Sequence, residues 1–277
     1  GSETKENGLF TTTFLFIKYL YRILNIRLLS ENILAAGIKM DSASFNINGS
    51  KNVLDATFGF KNDSTENNHA YLATKLGFSP DTLDIEIKPE SSISLRGDKW
   101  NFKKSNIIFA DSSIIFNNFN LNNSNQHISA NGFLSKTKKD SLALGLNNFD
   151  IKILNLFLNR PFKVEGYFSG AANLSMNRNN TNIFADITGD SVYVYNNPVG
   201  KLKIMGKWYN PEKRFNILVN AKRENKSNFL ATGYYKPKDN RLMLSAELEE
   251  MSVAYFEPFL SDLIEKTSGT LSGKMKL

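Results

Sequence analysis

The chain has 277 residues, 41% of them hydrophobic and 22% charged, the composition of a folded protein with room for one or two domains. Its 34 basic and 27 acidic residues leave a net charge of +7, but the cations are scattered, and the densest group, Lys136, Lys138 and Lys139, has Asp140 beside it. A nucleic-acid binder concentrates its charge in a stripe, so nucleic acid is not an expected partner; the lack of cysteine excludes disulfides, thiolate metal sites and a cysteine nucleophile.

Gly1-Ser2 has the look of a cloning scar and Leu277 ends on a strand pattern, so the sequence is expected to be a piece of a longer protein. The longest charge-free apolar-looking stretch, Leu9 to Ile17, falls short of the roughly 20 residues that span a bilayer.

Residues 1–40 are expected to form a separate amphipathic segment. Phe14, Ile17, Leu20, Tyr21, Leu24 and Leu28 recur at helical spacing with Lys18, Arg22 and Arg27 between them, as in a helix lying on a surface. Phe10, Phe14, Phe16 and three consecutive threonines suit a strand equally well, so both conformations stay open.

From residue 41 to 277 the period is two. Ala43, Phe45 and Ile47 alternate with polar residues, and Leu54, Ala56, Phe58 and Phe60 follow after the hairpin signal Asn48-Gly-Ser-Lys-Asn52. Leu83, Ile85 and Ile87 make the next run, then Ile107 and Phe109, Ile114 and Phe116, and Phe119 and Leu121. Further runs are Ile128/Ala130/Gly132, Leu142/Leu144/Leu146, Phe162/Val164/Gly166/Phe168 and Ile183/Ala185/Ile187. Leu202/Ile204/Gly206/Trp208, Phe215/Ile217/Val219 and Leu242/Leu244/Ala246/Leu248 complete the series. The connections, such as Asn177-Arg-Asn-Asn and Pro237-Lys-Asp-Asn, are polar turns. Two short helices are expected to interrupt the strands, at about 151–158 and 253–264, where they would cover a sheet edge or cap an apolar interior.

The chain repeats itself. Ala130 is answered by Ala231, Leu142 by Leu244, and Gly166-Tyr-Phe-Ser-Gly170 by Gly269-Thr-Leu-Ser-Gly273, at offsets of 101 to 103 residues. The copies run over about 127–176 and 228–277. Repeated strand blocks make arrays that grow by addition and present a long surface of one chemistry.

Catalytic constellations are missing. His69 and His127 have no metal-ligand spacing, and no Walker loop, Rossmann fingerprint or G-x-S-x-G elbow is present. Gly166-x-x-Ser-Gly170 and Gly269-x-x-Ser-Gly273 put glycines where backbones approach closely or a sheet curves, and no histidine lies near either serine in sequence. Asp84 with Glu86, and Glu247 with Glu249, share strand faces as solvent-side residues rather than acid–base pairs. No enzyme activity, cofactor or metal is expected.

An ordered set of motifs carries a family likeness. It comprises Arg96-Gly-Asp-Lys-Trp100, Phe116-Asn-Asn-Phe119, Ile128-Ser-Ala-Asn-Gly132, Leu142-Ala-Leu-Gly-Leu-Asn-Asn-Phe149 and Gly166-x-Phe-Ser-Gly-x-Ala. Pro198-Val-Gly-Lys-Leu202, Gly206-Lys-Trp-Tyr-Asn-Pro-Glu-Lys-Arg214, Gly233-Tyr-Tyr-Lys-Pro237, Phe256-Glu-Pro-Phe-Leu260 and Ser268-Gly-Thr-Leu-Ser-Gly273 follow. Over about 41–277 the chain resembles the TamB branch of the AsmA-like family, in its Bacteroidetes form, near the C-terminal region.

That resemblance implies an all-β fold: an elongated, curved antiparallel or mixed sheet folded into a taco-like groove with an apolar interior. It implies a protein of the periplasm, anchored in the inner membrane and reaching the outer membrane, that conducts phospholipid and supports outer-membrane biogenesis. The implied partners are phospholipid acyl chains and an outer-membrane barrel protein of the TamA/BamA type. The candidate lining comprises Leu142, Leu144, Leu146, Ile183, Ile187, Leu202, Ile204, Trp208, Phe215, Ile217, Val219, Leu242, Leu244 and Leu248. Alternation alone serves an open groove and a closed core equally. A second functional reading is a scaffold that guides outer-membrane proteins by lending a strand edge. Exposed strand edges would also let the fragment dimerise.

Overall fold

The computed structural model describes residues 24–35, 38–62, 68–95, 97–135, 140–156, 164–177, 180–223, 226–253 and 268–276. Those residues form eighteen strands, and every pairing whose register is defined is antiparallel. The expected all-β class is what the chain adopts. Contacts divide it between Asp111 and Ser112, while the boundary expected near residue 40 falls inside a strand.

The first unit holds β1 (Leu24–Ala35), β2 (Ile38–Ser50), β3 (Val53–Lys61), β4 (His69–Ser79), β5 (Thr82–Ile87), β6 (Ser92–Leu95), β7 (Asp98–Phe102) and β8 (Ser105–Ala110). Cross-strand partners put Phe45, Phe58 and Leu72 in one apolar row, and Leu54, Leu76, Ile85 and Ile107 in another. β4 is paired along one edge by two short strands, β5 against Thr74–Ser79 and β6 against His69–Tyr71. Ser91 fills the break between them. Its fully buried hydroxyl accepts the Ala73 N–H at 2.9 Å and donates to the Ala73 carbonyl at 3.1 Å, which satisfies backbone groups that would be costly to bury alone.

The second unit holds β9 (Ser113–Asn123), β10 (Gln126–Ser135), β11 (Ser141–Asp150), β12 (Val164–Asn177), β13 (Asn180–Val194), β14 (Asn197–Tyr209), β15 (Arg214–Arg223), β16 (Lys226–Lys236), β17 (Arg241–Ser252) and β18 (Thr270–Lys276). It is a meander in which each strand pairs with the next. The repeat copies are equivalent three-strand pieces, β10–β11–β12 and β16–β17–β18. Each carries the same irregularity. The register slips between Leu146 and Phe149 on β11, and between Leu248 and Met251 on β17. Asn148 and Glu250 take left-handed backbone angles there, φ 49 and 48, as the extra residue of a β-bulge. The Asn148 N–H donates to the Ser169 hydroxyl at 2.8 Å, and the Glu250 N–H to the Ser272 hydroxyl at 2.9 Å. The serine of Gly-x-x-Ser-Gly thus satisfies the amide that the bulge removes from the ladder.

Leu24–Ala35 is a strand, because Leu24, Ile26 and Leu28 fit a two-residue period as well as a helical one and pairing with β2 decides between them; residues 1–23 lie outside the described residues. The short helix expected at 151–158 is a 3₁₀ helix, Ile151–Leu156, entered where the Asp150 carboxylate accepts the Lys152 N–H at 3.0 Å. Residues 157–158 and all of 253–264 except Val253 lie outside the described residues.

Candidate functional site

The candidate site is one face of the second unit's sheet, built by register. Pairing carries Ile128 to Leu146, Gly170, Ile187, Ile204, Val219, Ala231 and Ala246, an apolar row across all eight strands from β10 to β17. The neighbouring row runs Ala130, Leu144, Ala172, Ala185, Gly206, Ile217, Gly233 and Leu244. A third runs Phe149, Phe168, Gly189, Leu202, Ala221, Phe229 and Leu248. The fourth begins with Gly132, Leu142, Leu174 and Ile183, and continues with Trp208, Phe215, Tyr235 and Leu242. Trp208 lies level with Ile183 because the preceding pair is Phe184 and Lys207. No charged residue interrupts the four rows. All fourteen residues of the expected lining fall on this one face.

Small residues are interspersed with large ones on the face, and the backbones come close at them. A Cβ on Gly170 would lie 2.3 Å from the Asp186 carbonyl oxygen, and one on Gly233 2.0 Å from that of Met243. Only glycine tolerates such approach.

The exposure pattern separates this face from a sealed core. Leu142, Phe149, Phe168 and Leu248 are buried, but Ile187, Ile204, Ile217 and Val219, with neighbours on all sides in the sheet, are only half-buried. Leu144 is 37% and Leu242 51% exposed. Interiors are close-packed, so a second layer over the centre would bury these side chains as fully as the flanking ones. The central isoleucines and Val219 are less buried than those flanking residues, although Ala221, Ala231 and Ala246 beside them are buried.

The opposite face carries ion pairs beside apolar Phe184, Met205 and Leu218. Lys203 reaches Asp186 at 3.2 Å, Lys201 reaches Asp190 at 4.0 Å and Lys274 reaches its direct partner Glu247 at 2.6 Å. The hydrogen bond to Glu247 raises the Lys274 ammonium above its ordinary value. These pairs are exposed and contribute little stability; they keep one side of the sheet wet.

Sequence reasoning left Ile128, Phe149, Phe168 and Phe229 out of the lining, though the register places them in it. Their signal was present: Leu146 to Phe149 and Leu248 to Met251 are three-residue steps in a two-residue pattern, the mark of a bulge. His127 Nε2 lies 2.7 Å from Asn120 Oδ1 on the adjacent strand. Among the described residues no three His, Asp or Glu side chains come together as a metal site. No helix of the described residues is long and apolar enough to cross a membrane.

No protein-family model, curated protein or solved structure matches this chain.

Proposed function

We propose that the chain binds phospholipid acyl chains on the apolar face of its second unit and conducts them along it. In this reading it is a segment of a TamB-type, AsmA-like protein of the periplasm, anchored in the inner membrane and reaching the outer membrane, with an outer-membrane barrel partner. It performs no covalent chemistry. The observation that carries the reading is the pair of unbroken eight-strand apolar rows whose large central residues, Ile187, Ile204, Ile217 and Val219, remain only partly buried. Monomeric soluble proteins rarely leave so continuous an apolar surface without an occupant.

The physics of such a face suits acyl transfer. Each methylene exposed to water costs about 0.8 kcal/mol, so a chain meeting a hydrated gap faces a steep barrier, and a continuous lining removes it. Apolar contacts are non-directional, so an acyl chain can slide from one row to the next without breaking a specific bond.

Native mass spectrometry with lipid extraction tests the reading. Wild-type protein is expected to carry phospholipid, and folded Leu144→Asp and Leu244→Asp proteins to lose it. A lipid-free wild-type protein that also takes up no fluorescent acyl lipid would replace this reading with the strand-lending scaffold.

A further inference from the structure

The two ends of strands β14 to β17 differ in chemistry. At one end lie the turn between β14 and β15 and the 3₁₀ turn Pro237–Asp239 between β16 and β17. These tips carry Lys213, Arg214, Lys236, Lys238 and Arg241 against only Glu212 and Asp239. At the other end, Lys201, Lys222 and Arg223 stand against Glu249 and Glu250 among the described side chains, and Asp190 of β13 lies 4.0 Å from Lys201.

The cationic end is also organised. The Arg214 guanidinium sits 4.6 Å from the Tyr234 ring centre and 5.3 Å from that of Tyr209, and the Lys236 ammonium sits 5.7 Å from the Tyr234 ring. Glu212 joins the two tips, at 3.0 Å from Arg214 and 3.5 Å from Lys236. Asn210 ties the first tip to β13, accepting the Thr181 N–H at 2.9 Å and donating to the Thr181 carbonyl at 2.6 Å. Beyond this framework Lys213, Lys238 and Arg241 stand exposed. Beside them Tyr209 is 41%, Leu242 51% and Met243 45% exposed.

Excess cation, tyrosine at the lip and exposed leucine and methionine form the combination that partitions into the head-group layer of a bilayer. We infer that the β14–β15 and β16–β17 tips dock on an anionic membrane surface, with Lys238 and Arg241 meeting lipid phosphates and Leu242 and Met243 entering the interface. The docking stands on the tips' own charge and exposure. It adds an orientation to the proposed function, because the row that ends in Trp208, Phe215, Tyr235 and Leu242 then opens at the bilayer.

Vesicle flotation of the whole chain tests it, using phosphatidylglycerol–phosphatidylcholine vesicles against pure phosphatidylcholine. Wild-type protein is expected to float with the anionic vesicles, less so in high salt. Each basic residue near an anionic surface contributes about fivefold to partitioning, so Lys238→Glu with Arg241→Glu is expected to weaken flotation by at least about tenfold. Lys201→Glu with Lys222→Glu, at the other end, is expected to change it by less than about threefold. Equal flotation with neutral vesicles, no flotation, or equal loss in both double variants would overturn the docking. Lipid extracted from the same preparations reports separately on the apolar face, so either idea can fail while the other stands.

Discussion

Ser169 looks like a nucleophile in a motif and behaves as a structural acceptor in the fold. Its hydroxyl takes the N–H that the β11 bulge strands, and Ser272 does the same in the second copy. Ser169→Ala is expected to cost about 1 kcal/mol, read from urea unfolding, because a partly buried amide loses its partner. Ser272→Ala is expected to cost less, since water can reach the exposed amide of Glu250. Glycine positions give a sharper contrast. Gly233→Ala would push a methyl to 2.0 Å from a neighbouring carbonyl, so the strands must part, at an expected cost of about 1–3 kcal/mol. Gly77→Ala places its methyl at an ordinary 3.5 Å from Asp84, and is expected to be neutral or to stabilise by up to about 1 kcal/mol. Thermal melts of the two variants should differ in sign or by several degrees.

At the scale of elements, strand identity was the most legible property of the sequence. Runs such as Leu142/Leu144/Leu146 specify both a strand and its buried side, since a one-residue slip would turn every apolar group outward. Leu24–Ala35 was not legible, because Leu24 and Leu28 satisfy two periods at once and only tertiary pairing chooses. The short helix after Asp150 was legible, while the apolar spacing of Ile151, Ile153 and Leu154 fixes a turn of helix without fixing its 3₁₀ pitch. Electrostatics between elements is modest. Lys88, in the connection that follows β5, donates to Asp55 of β3 at 2.7 Å, and that hydrogen bond raises its pKa above the ordinary 10.5 while burial pulls the other way. A lysine whose folded value is raised contributes its stability below the unfolded value and loses it as pH climbs through the folded one. With 31% and 57% of the side chains exposed, the pair is worth at most about 1 kcal/mol. A Lys88→Met and Asp55→Asn double-mutant cycle is expected to show that coupling at about pH 7 and a smaller one as pH rises past the ordinary lysine value.

At the scale of the molecule, both units are built by the same rule, with alternating strands whose apolar residues fall in rows across a sheet. The fourteen residues named from the sequence share one face because the period of two holds along each run that carries them, and it breaks at bulges such as Leu146 to Phe149. Whether that face is open was not legible, since a sandwich and a groove need the same alternation. The incomplete burial of Ile187, Ile204, Ile217 and Val219 is what favours the groove, and no single strand carries that information. Charged substitution on the face is therefore expected to be tolerated by the fold better than in a sealed core, where an unpaired carboxylate costs several kcal/mol. The most direct measurement is native mass spectrometry of the purified protein and its Leu144→Asp and Leu244→Asp variants, each checked for strand content by circular dichroism. Phospholipid bound to the wild type and absent from both folded variants is the result expected of an open acyl-binding face. Wild-type protein free of lipid, together with variants that no longer fold, would mean that these rows are an ordinary closed core.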